Sequence, residues 1–281
     1  MLFSKSPVAY LFLALYFCLS LRILSFSDNL IVLWVLIELQ IVVYVTISFP
    51  YFRSFHSSLI LYFLVQSVSS LMVLACCFFS YWLLFLSFLL KLGGFPFYGW
   101  YIASLGSFPN YPLFLALTFQ KLGSVTLLGL FLGSFSCYIL NVFLAFSLLG
   151  GLSSIYALSR LRMLLVWSSL VTNVWFILSL SLSLACFTLY FIVYSFMTLL
   201  ALGVFGTSYS HIYSPSGFLL LMFGLAGFPP SPLFFVKVLV LYLVAFYSVS
   251  MVMLLLVSSV VVMYIYCSLG ISSFISQFKG V

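Results

Sequence analysis

Four charged side chains fall inside long apolar segments of this 281-residue sequence, where charge is rarely tolerated. They are Glu38, Lys91, Lys121 and Lys237. On insertion scales each costs about 2.5–3.5 kcal/mol at the centre of a membrane helix, so together they oppose insertion by about 10–14 kcal/mol. An acid beside a buried lysine influences whether that lysine keeps its proton. These residue types at these positions therefore predict a proton relay inside a membrane.

A structural role is the alternative for the first pair. Glu38 and Lys91 could form a buried salt bridge that fixes the register of two helices. Lys121 and Lys237 have no further acid inside the apolar segments, because the one remaining acid, Asp28, lies in a predicted loop. The two lysines without an acid therefore favour transport. A polar residue in the third apolar segment, Gln66, is predicted either to hold a water or to make a helix-packing contact.

The composition places these residues in a polytopic membrane protein. Of all residues 66% are hydrophobic and 4% are charged, whereas an ordinary soluble domain has about 25% charged residues. With about 20 apolar residues needed for each span, no room remains for a soluble catalytic domain. The nine Lys and Arg residues, against two acids, give a net charge of +7, but they are scattered along the chain. A nucleic-acid-binding surface, which needs clustered basic residues, is therefore not predicted.

Polar residues, glycines and prolines divide the chain into ten predicted spans. They lie near 8–26, 29–49, 57–80, 81–106, 111–133, 136–157, 161–182, 184–206, 216–248 and 250–270. Two of these are too long for a simple crossing and contain breaker residues near their middles, at 91–96 (KLGGFP) and 224–232 (GLAGFPPSP). Because a proline breaks a helix, and lipid cannot satisfy the freed carbonyls, we predict two discontinuous helices whose breaks are covered by protein or water. For the second break, two short helices with a re-entrant turn remain an alternative.

The two breaks also predict an internal repeat. Gly-Gly-Phe-Pro at 93–96 recurs as Ala-Gly-Phe-Pro at 226–229, an offset of 133 residues. Each break falls in the fourth of five spans, and an odd number of spans inverts the second half. We therefore predict one all-α membrane domain over 1–281, built from inverted five-helix repeats at 8–133 and 136–270, as in ion-coupled transporters. Chance recurrence in a sequence rich in Phe and Gly is the alternative.

Charges in the predicted loops orient the spans. The opposite side offers only Asp28, with Arg22 near the end of the first span, where a long side chain can reach the interface. By the positive-inside rule, both termini therefore face the cytoplasm or the matrix. The basic loop residues on the side of the termini are Lys5, Arg53, Arg160, Arg162 and Lys279, accompanied by His56 and His211.

Other chemistries have no support in the sequence. There is no GxGxxG motif after a strand and no Walker loop. The six cysteines lie in apolar runs without the spacing of a metal or iron–sulfur site, and no paired histidines could hold haem. Any redox step coupled to this chain is therefore predicted to take place in another chain.

Several motifs follow one another in order between about residues 10 and 270. They are 90–100 (LKLGGFPFYGW), 119–122 (FQKL), 150–152 (GGL) with 161–162 (LR), 167–170 (WSSL), and 224–230 (GLAGFPP) followed by Lys237. Together they resemble the NADH–ubiquinone oxidoreductase chain 2 family, the mitochondrially encoded antiporter-like subunits of respiratory complex I. The resemblance implies that Glu38 and Lys91 are a coupled acid–lysine pair, that Lys121 is the central relay lysine, and that Lys237 is the lysine of the second broken helix.

The same resemblance implies a cellular setting. It implies that the protein lies in the mitochondrial inner membrane with its N-terminus in the matrix. It also implies that this chain binds no cofactor, although the complex uses NADH and ubiquinone, and that it binds no nucleic acid. The implied partners are other membrane subunits, including further antiporter-like subunits, and lipids. Two departures from the family's pattern are expected: Met163 stands where relatives often carry lysine, so it is given no role, and the last helix of longer relatives is absent.

Two other functions fit the same residues. A free-standing cation/proton antiporter would share the fold type and the buried lysines, but it should be active when purified alone. A structural membrane subunit would tether its neighbours without moving protons, and neutral replacement of Glu38 and Lys237 would then leave proton transport intact.

Overall fold

The computed structural model of the protein describes residues 7–25, 29–52, 57–76, 81–94, 96–131, 145, 161–206 and 215–278. Within these ranges the chain is α-helical and contains no strand, as the sequence predicted. In chain order the α-helices are α1 (Pro7–Ser25), α2 (Leu30–Ser48), α3 (Ser57–Cys76), α4 (Tyr81–Leu92), α5 (Tyr98–Leu105), α6 (Asn110–Leu117), α7 (Phe119–Phe131), α8 (Leu161–Leu182), α9 (Leu184–Gly206), α10 (Pro215–Ala226), α11 (Pro232–Ala245) and α12 (Val249–Phe278).

The observed helices follow the predicted spans closely where the structure describes them. Helices α8 and α9 have the predicted bounds of 161–182 and 184–206. The single residue between them, Ser183, begins α9, because its side-chain oxygen accepts a hydrogen bond from the Cys186 amide at 3.2 Å, the arrangement of an N-cap. Of the predicted span at 136–157, the structure describes residue 145 alone.

Length and composition identify helices that could cross a membrane. Among the described residues, six helical segments are long and apolar enough, one of which joins α6 and α7: Leu30–Tyr51, Ser57–Ala75, Asn110–Phe131, Arg162–Leu182, Leu184–Gly203 and Val249–Ile271. Shorter apolar helices cover Tyr10–Ser25, Leu83–Leu92 and Pro232–Ala245. Many large apolar side chains are exposed, including Ile31 and Tyr264, each more than 70% accessible. Such a surface suits lipid or a neighbouring apolar chain rather than water. The protein is a multi-pass membrane protein, while the number of ten spans stays a prediction.

The chain divides into two compact units, 1–147 and 148–281. In the first unit α2 is central and packs against α1, α3, α6 and α7, while α4 and α5 pack against α3. In the second unit α11 packs against α8, α9, α10 and α12, and α10 lies along α12. Each unit therefore surrounds one of the helix pairs in which the sequence predicted a break.

Candidate functional site

The first predicted break is present between α4 and α5. After α4 ends at Leu92, Gly93 adopts a φ of +70°, in the left-handed region that glycine favours. The Gly94 amide donates to the Leu89 carbonyl at 2.7 Å, and the Gly93 amide donates to the Leu90 carbonyl at 3.3 Å. This pair of hydrogen bonds is a Schellman motif, which ends a helix and satisfies part of its last turn.

Side chains satisfy further carbonyls at this break. Gln66 Nε2, on α3, donates to the Lys91 carbonyl oxygen at 3.1 Å. Trp100 Nε1, on α5, donates to the Leu90 carbonyl oxygen at 3.1 Å. The prediction that protein would cover the freed carbonyls is therefore confirmed at this break. Of the two roles that the sequence left open for Gln66, the structure supports an interhelical contact, made to the backbone.

The lysine before this break is close to the predicted acid without being bonded to it. Lys91 is 3% exposed, and its Nζ has no hydrogen-bond partner among the described residues. Glu38 is half-buried on α2 and accepts a hydrogen bond from Ser70 Oγ on α3. Its carboxylate is near enough to act on Lys91 by Coulombic interaction. The structure thus brings Glu38 and Lys91 into one electrostatic environment, while the direct partner of the acid is a serine hydroxyl.

The second buried lysine, Lys121, lies beside an interruption that the sequence did not predict. Instead of one continuous helix over 111–133, α6 ends at Leu117 and α7 begins at Phe119, with Thr118 at φ −113° and ψ −86° between them. Lys121 is 5% exposed, and its Nζ lies 5.9 Å from the centre of the Tyr101 ring. No glycine or proline marks this interruption, so the composition gave no signal for it.

A pair of glutamines holds this interruption against α2, the helix that carries Glu38. Gln40 Nε2 donates to the Phe119 carbonyl at 3.1 Å, and Gln120 Nε2 donates to the Gln40 carbonyl at 3.3 Å. The helices approach closely at Gly123, where a Cβ atom would lie 2.9 Å from Ile37 Cγ1. These contacts set the position of α7, and with it Lys121, relative to α2. Neither glutamine was predicted from the sequence to take part in the site.

The second predicted break is present between α10 and α11. Gly227 has a φ of +80° after the last residue of α10, Ala226. The Phe228 amide donates to the Phe223 carbonyl at 3.0 Å, and the Gly227 amide donates to the Gly224 carbonyl at 3.2 Å, which is again a Schellman motif. Helix α11 then starts with Ser231 as N-cap, whose side chain accepts from the Phe234 amide at 3.3 Å.

Equivalent residues of the two breaks are 134 positions apart in the structure, one more than the 133 of the matching tetrapeptides. Matching the tetrapeptides pairs Gly94 with Gly227, whereas the two left-handed glycines are Gly93 and Gly227, 134 residues apart. The next turn has the same offset, because Phe97 donates to the Gly94 carbonyl and Ser231 donates to the Phe228 carbonyl, both at 2.7 Å. The position of the helix end, and not the Phe-Pro pair, therefore decides which residues are equivalent. The number of repeats and their inversion stay predictions.

Lys237 on α11 reaches back across the second break. Its Nζ donates to the Ala226 carbonyl oxygen at 3.3 Å and lies 5.7 Å from the centre of the Trp175 ring on α8. Trp175 in turn stacks on Tyr190 of α9, with ring centres 6.3 Å apart and planes 8° from parallel. The ammonium therefore has a carbonyl dipole and an aromatic face as partners, both of which favour positive charge.

Most of the charged residues and histidines used to predict the orientation lie where the structure describes no residues. Lys5, Asp28, Arg53, His56, Arg160, His211 and Lys279 lie outside the described residues, so the predicted orientation is not tested. Arg22 and Arg162 are exposed. Within the ranges described above, no group of three or more His, Cys, Asp or Glu side chains could hold a metal ion.

The fold and the site define a class: an all-helical, multi-pass membrane protein with a lysine beside each of three helix interruptions, buried at Lys91 and Lys121 and half-buried at Lys237. The fold is similar to that of a chain from a structure of respiratory complex I from Thermus thermophilus with bound aureothin, at a TM-score of 0.73 and 21% identity, covering 87% of this chain and 66% of that one. This similarity concerns the fold.

Relatives by sequence give the family. The chain is similar to NADH-ubiquinone oxidoreductase chain 2 of Artemia franciscana, with 34% identity over 228 residues, 75% of this chain and 73% of that protein. The protein of the same name from Caenorhabditis elegans is 31% identical, over 66% of this chain and 63% of that protein. The one from Mytilus edulis is 28% identical, over 76% of this chain and 71% of that protein. No protein-family model matches the chain. The chain belongs to the NADH-ubiquinone oxidoreductase chain 2 family, which confirms the resemblance found in the sequence.

Proposed function

We propose that this protein is a proton-translocating membrane subunit of NADH:ubiquinone oxidoreductase, respiratory complex I. Membership of the chain 2 family supports its place in that enzyme. In this proposal it lies in the mitochondrial inner membrane with its N-terminus in the matrix. Its partners are the other membrane subunits, further antiporter-like subunits among them, and lipids. NADH and ubiquinone are used by other chains of the enzyme.

One observation supports the relay: each of the three lysines inside the apolar segments, two of them buried and Lys237 half-buried, is next to a helix interruption. Lys91 lies two residues before Gly93, Lys121 lies three residues after Thr118, and Lys237 Nζ bonds the last carbonyl of α10. An interrupted helix offers carbonyl oxygens and room for water in a region where an unbroken helix offers neither. Ionisable residues in such places are typical of proton pathways.

The proposed sequence of events starts at Glu38. Quinone reduction elsewhere in the enzyme changes the field at its carboxylate, which moves toward or away from Lys91. When the acid moves away, Lys91 loses the negative charge that favours its protonated form and releases its proton. The transfer continues through Lys121 to Lys237 by side chains and water. Ser70, as the hydroxyl that bonds Glu38, is the group that the carboxylate must leave in order to move.

The central lysine offers the sharpest test. We expect Lys121→Met to abolish proton pumping by the assembled enzyme in proteoliposomes, because a methionine fills a similar volume but carries no proton. Lys121→Arg should also impair pumping, since arginine keeps its charge and does not release its proton. Arg22→Gln, which removes one positive charge from an exposed position, is the control and should pump normally.

The outcomes separate this proposal from its alternatives. Normal pumping by Lys121→Met, with NADH oxidation and assembly intact, would contradict the relay. If the neutral variants Glu38→Gln and Lys237→Met pump normally, the protein is a structural subunit that does not move protons. Proton/cation exchange by the purified chain alone in vesicles would instead indicate a free-standing antiporter.

A further inference from the structure

The second unit contains a cavity beside Lys237 whose wall is rich in hydroxyl groups. It lies among α8, α9, α11 and α12, and Lys237, Trp175 and Leu233 form part of its wall. It offers about 20 Å³ to the centre of a water molecule, more than the roughly 10–15 Å³ that one buried water needs. The hydroxyl residues in its wall include Ser168, Tyr190, Tyr194, Thr198, Ser259 and Tyr266.

Two of these hydroxyls form a direct link between helices. Ser168 Oγ on α8 and Tyr266 Oη on α12 are 2.7 Å apart, and either atom can be the donor. Ser168 Oγ also lies 3.1 Å from the Leu165 carbonyl, to which it can donate instead. A hydroxyl pair whose donor and acceptor can exchange is able to pass a proton in either direction, because each oxygen both donates and accepts.

A third hydroxyl, that of Tyr190, supports a water in this cavity. Tyr190 is 0% exposed, and its Oη has no hydrogen-bond partner among the described residues. A buried tyrosine hydroxyl usually finds a partner, because leaving it unpaired costs about 1–3 kcal/mol. Tyr190 and Lys237 line the same cavity, which has room for one water. A water there would have the two to four polar partners that buried waters need.

We propose that this cavity holds an ordered water that connects Lys237 Nζ to the Ser168–Tyr266 hydroxyl pair, and that this pair is the proton conduit of Lys237. The inference rests on the proposed function and adds two uncharged residues, Ser168 and Tyr266, to the proton path.

The transfer balances with a second water as its only further reactant. The Lys237 ammonium gives a proton to the water as the water gives one of its own to Ser168 Oγ. Ser168 passes its original proton to Tyr266 Oη, and Tyr266 gives its own to a second water, which the proposal places on the far side of the pair as the acceptor. The lysine ends neutral, the first water and both hydroxyl groups end unchanged in charge, and one proton has moved from Nζ to the second water. The reverse order protonates Lys237.

Tyr266→Phe tests the conduit in the assembled enzyme, because it removes the hydroxyl and keeps the ring. We expect the ratio of protons pumped to NADH oxidised to fall by about three- to tenfold, which corresponds to the loss of about one hydrogen bond in the path. Tyr264→Phe is the matched control: it lies on the same helix, is 73% exposed and is absent from the cavity wall, and should pump normally.

A second pair of variants covers the case in which Tyr266→Phe assembles poorly. Ser168→Ala should lower the pumping ratio, and Ser168→Thr, which restores a hydroxyl, should recover it. The solvent deuterium isotope effect on coupled NADH oxidation should increase in Ser168→Ala and not in Tyr264→Phe. A structural role for Ser168 alone would not change that isotope effect.

The results also distinguish this inference from the proposed function. Suppose that Lys237→Met abolishes pumping. The conduit is then overturned if Tyr266→Phe pumps normally, or if Ser168→Ala and Ser168→Thr pump equally. Normal pumping by Lys237→Met overturns the role of Lys237 in the proposed function itself. An infrared band of a weakly bonded internal water that disappears in Tyr190→Phe supports the water, and no change in that region contradicts it.

Discussion

Lys237 Nζ donates a hydrogen bond across the second helix break to the carbonyl oxygen of Ala226, at 3.3 Å. At the first break, two neutral side chains, Gln66 and Trp100, donate the hydrogen bonds to the helix-end carbonyls. The Lys91 ammonium takes no part in it. The lysine of the second break therefore has both a charge to carry and a helix end to stabilise, while the lysine of the first break has its charge alone.

This difference predicts that replacing each lysine by methionine has different effects on stability. Lys237→Met should lower the free energy of unfolding by about 1–3 kcal/mol, because a buried carbonyl loses its side-chain donor. Lys91→Met should leave it unchanged or raise it, since the Lys91 side chain makes no hydrogen bond and its removal relieves the burial of a charge. Thermal inactivation of the assembled enzyme measures both variants. Equal losses of stability would contradict this division of roles.

The left-handed glycine of the second break gives another prediction. Gly227→Ala should destabilise the protein by about 1–2 kcal/mol, the cost of a left-handed residue that carries a Cβ. The new Cβ would also lie 3.0 Å from Lys237 Nζ, so pumping should fall with stability. Gly203→Ala on α9 is the control, because nothing lies within 4 Å of its Cβ position. The measurements are the amount of assembled enzyme and its pumping ratio, and an unchanged ratio in Gly227→Ala would count against the contact with Lys237.

The serine beside the acid predicts an effect on coupling. Ser70→Ala removes the hydroxyl that bonds the Glu38 carboxylate, an interaction worth about 1.5–3 kcal/mol for a charged acceptor. We expect the resting position of Glu38 to change and the pumping ratio to fall by up to about tenfold. Ser67→Ala, one turn earlier on α3, loses only a bond from Ser67 Oγ to its own helix and is the control. Identical pumping ratios in the two variants would show that Ser70 does not position Glu38.

The aromatic face opposite Lys237 gives a graded prediction. Trp175→Leu removes the ring 5.7 Å from Lys237 Nζ, and Trp175→Phe keeps a smaller ring. A cation–π interaction contributes about 0.5–2 kcal/mol, so the pH at which pumping is half-maximal should shift more in Trp175→Leu than in Trp175→Phe. The measurement is the pH profile of pumping in proteoliposomes. A profile unaffected by both substitutions would remove Trp175 from the set of groups that act on Lys237.

Much of the architecture was predictable because lipid imposes a simple rule. Every backbone group inside a bilayer must be satisfied within the protein, so long apolar runs have to be helices, and clusters of glycine and proline inside them indicate breaks. This is why the bounds of α8 and α9, and the breaks after Leu92 and Ala226, agree with expectation. The family was likewise evident from ordered motifs around Lys91, Lys121 and Lys237.

The sequence by itself determined which residues carry charge into the membrane, the all-helical fold and the positions of two breaks, because composition and Gly/Pro punctuation act locally. Only the tertiary structure decided what these residues contact. The interruption at Thr118, the partnership of Glu38 with Ser70, the reach of Lys237 to Ala226 and the Ser168–Tyr266 pair all join residues that are adjacent because of helix packing. Side-chain hydrogen bonds between helices depend on rotation and register, and neither is encoded in the hydrophobic pattern of a helix that is apolar on all sides.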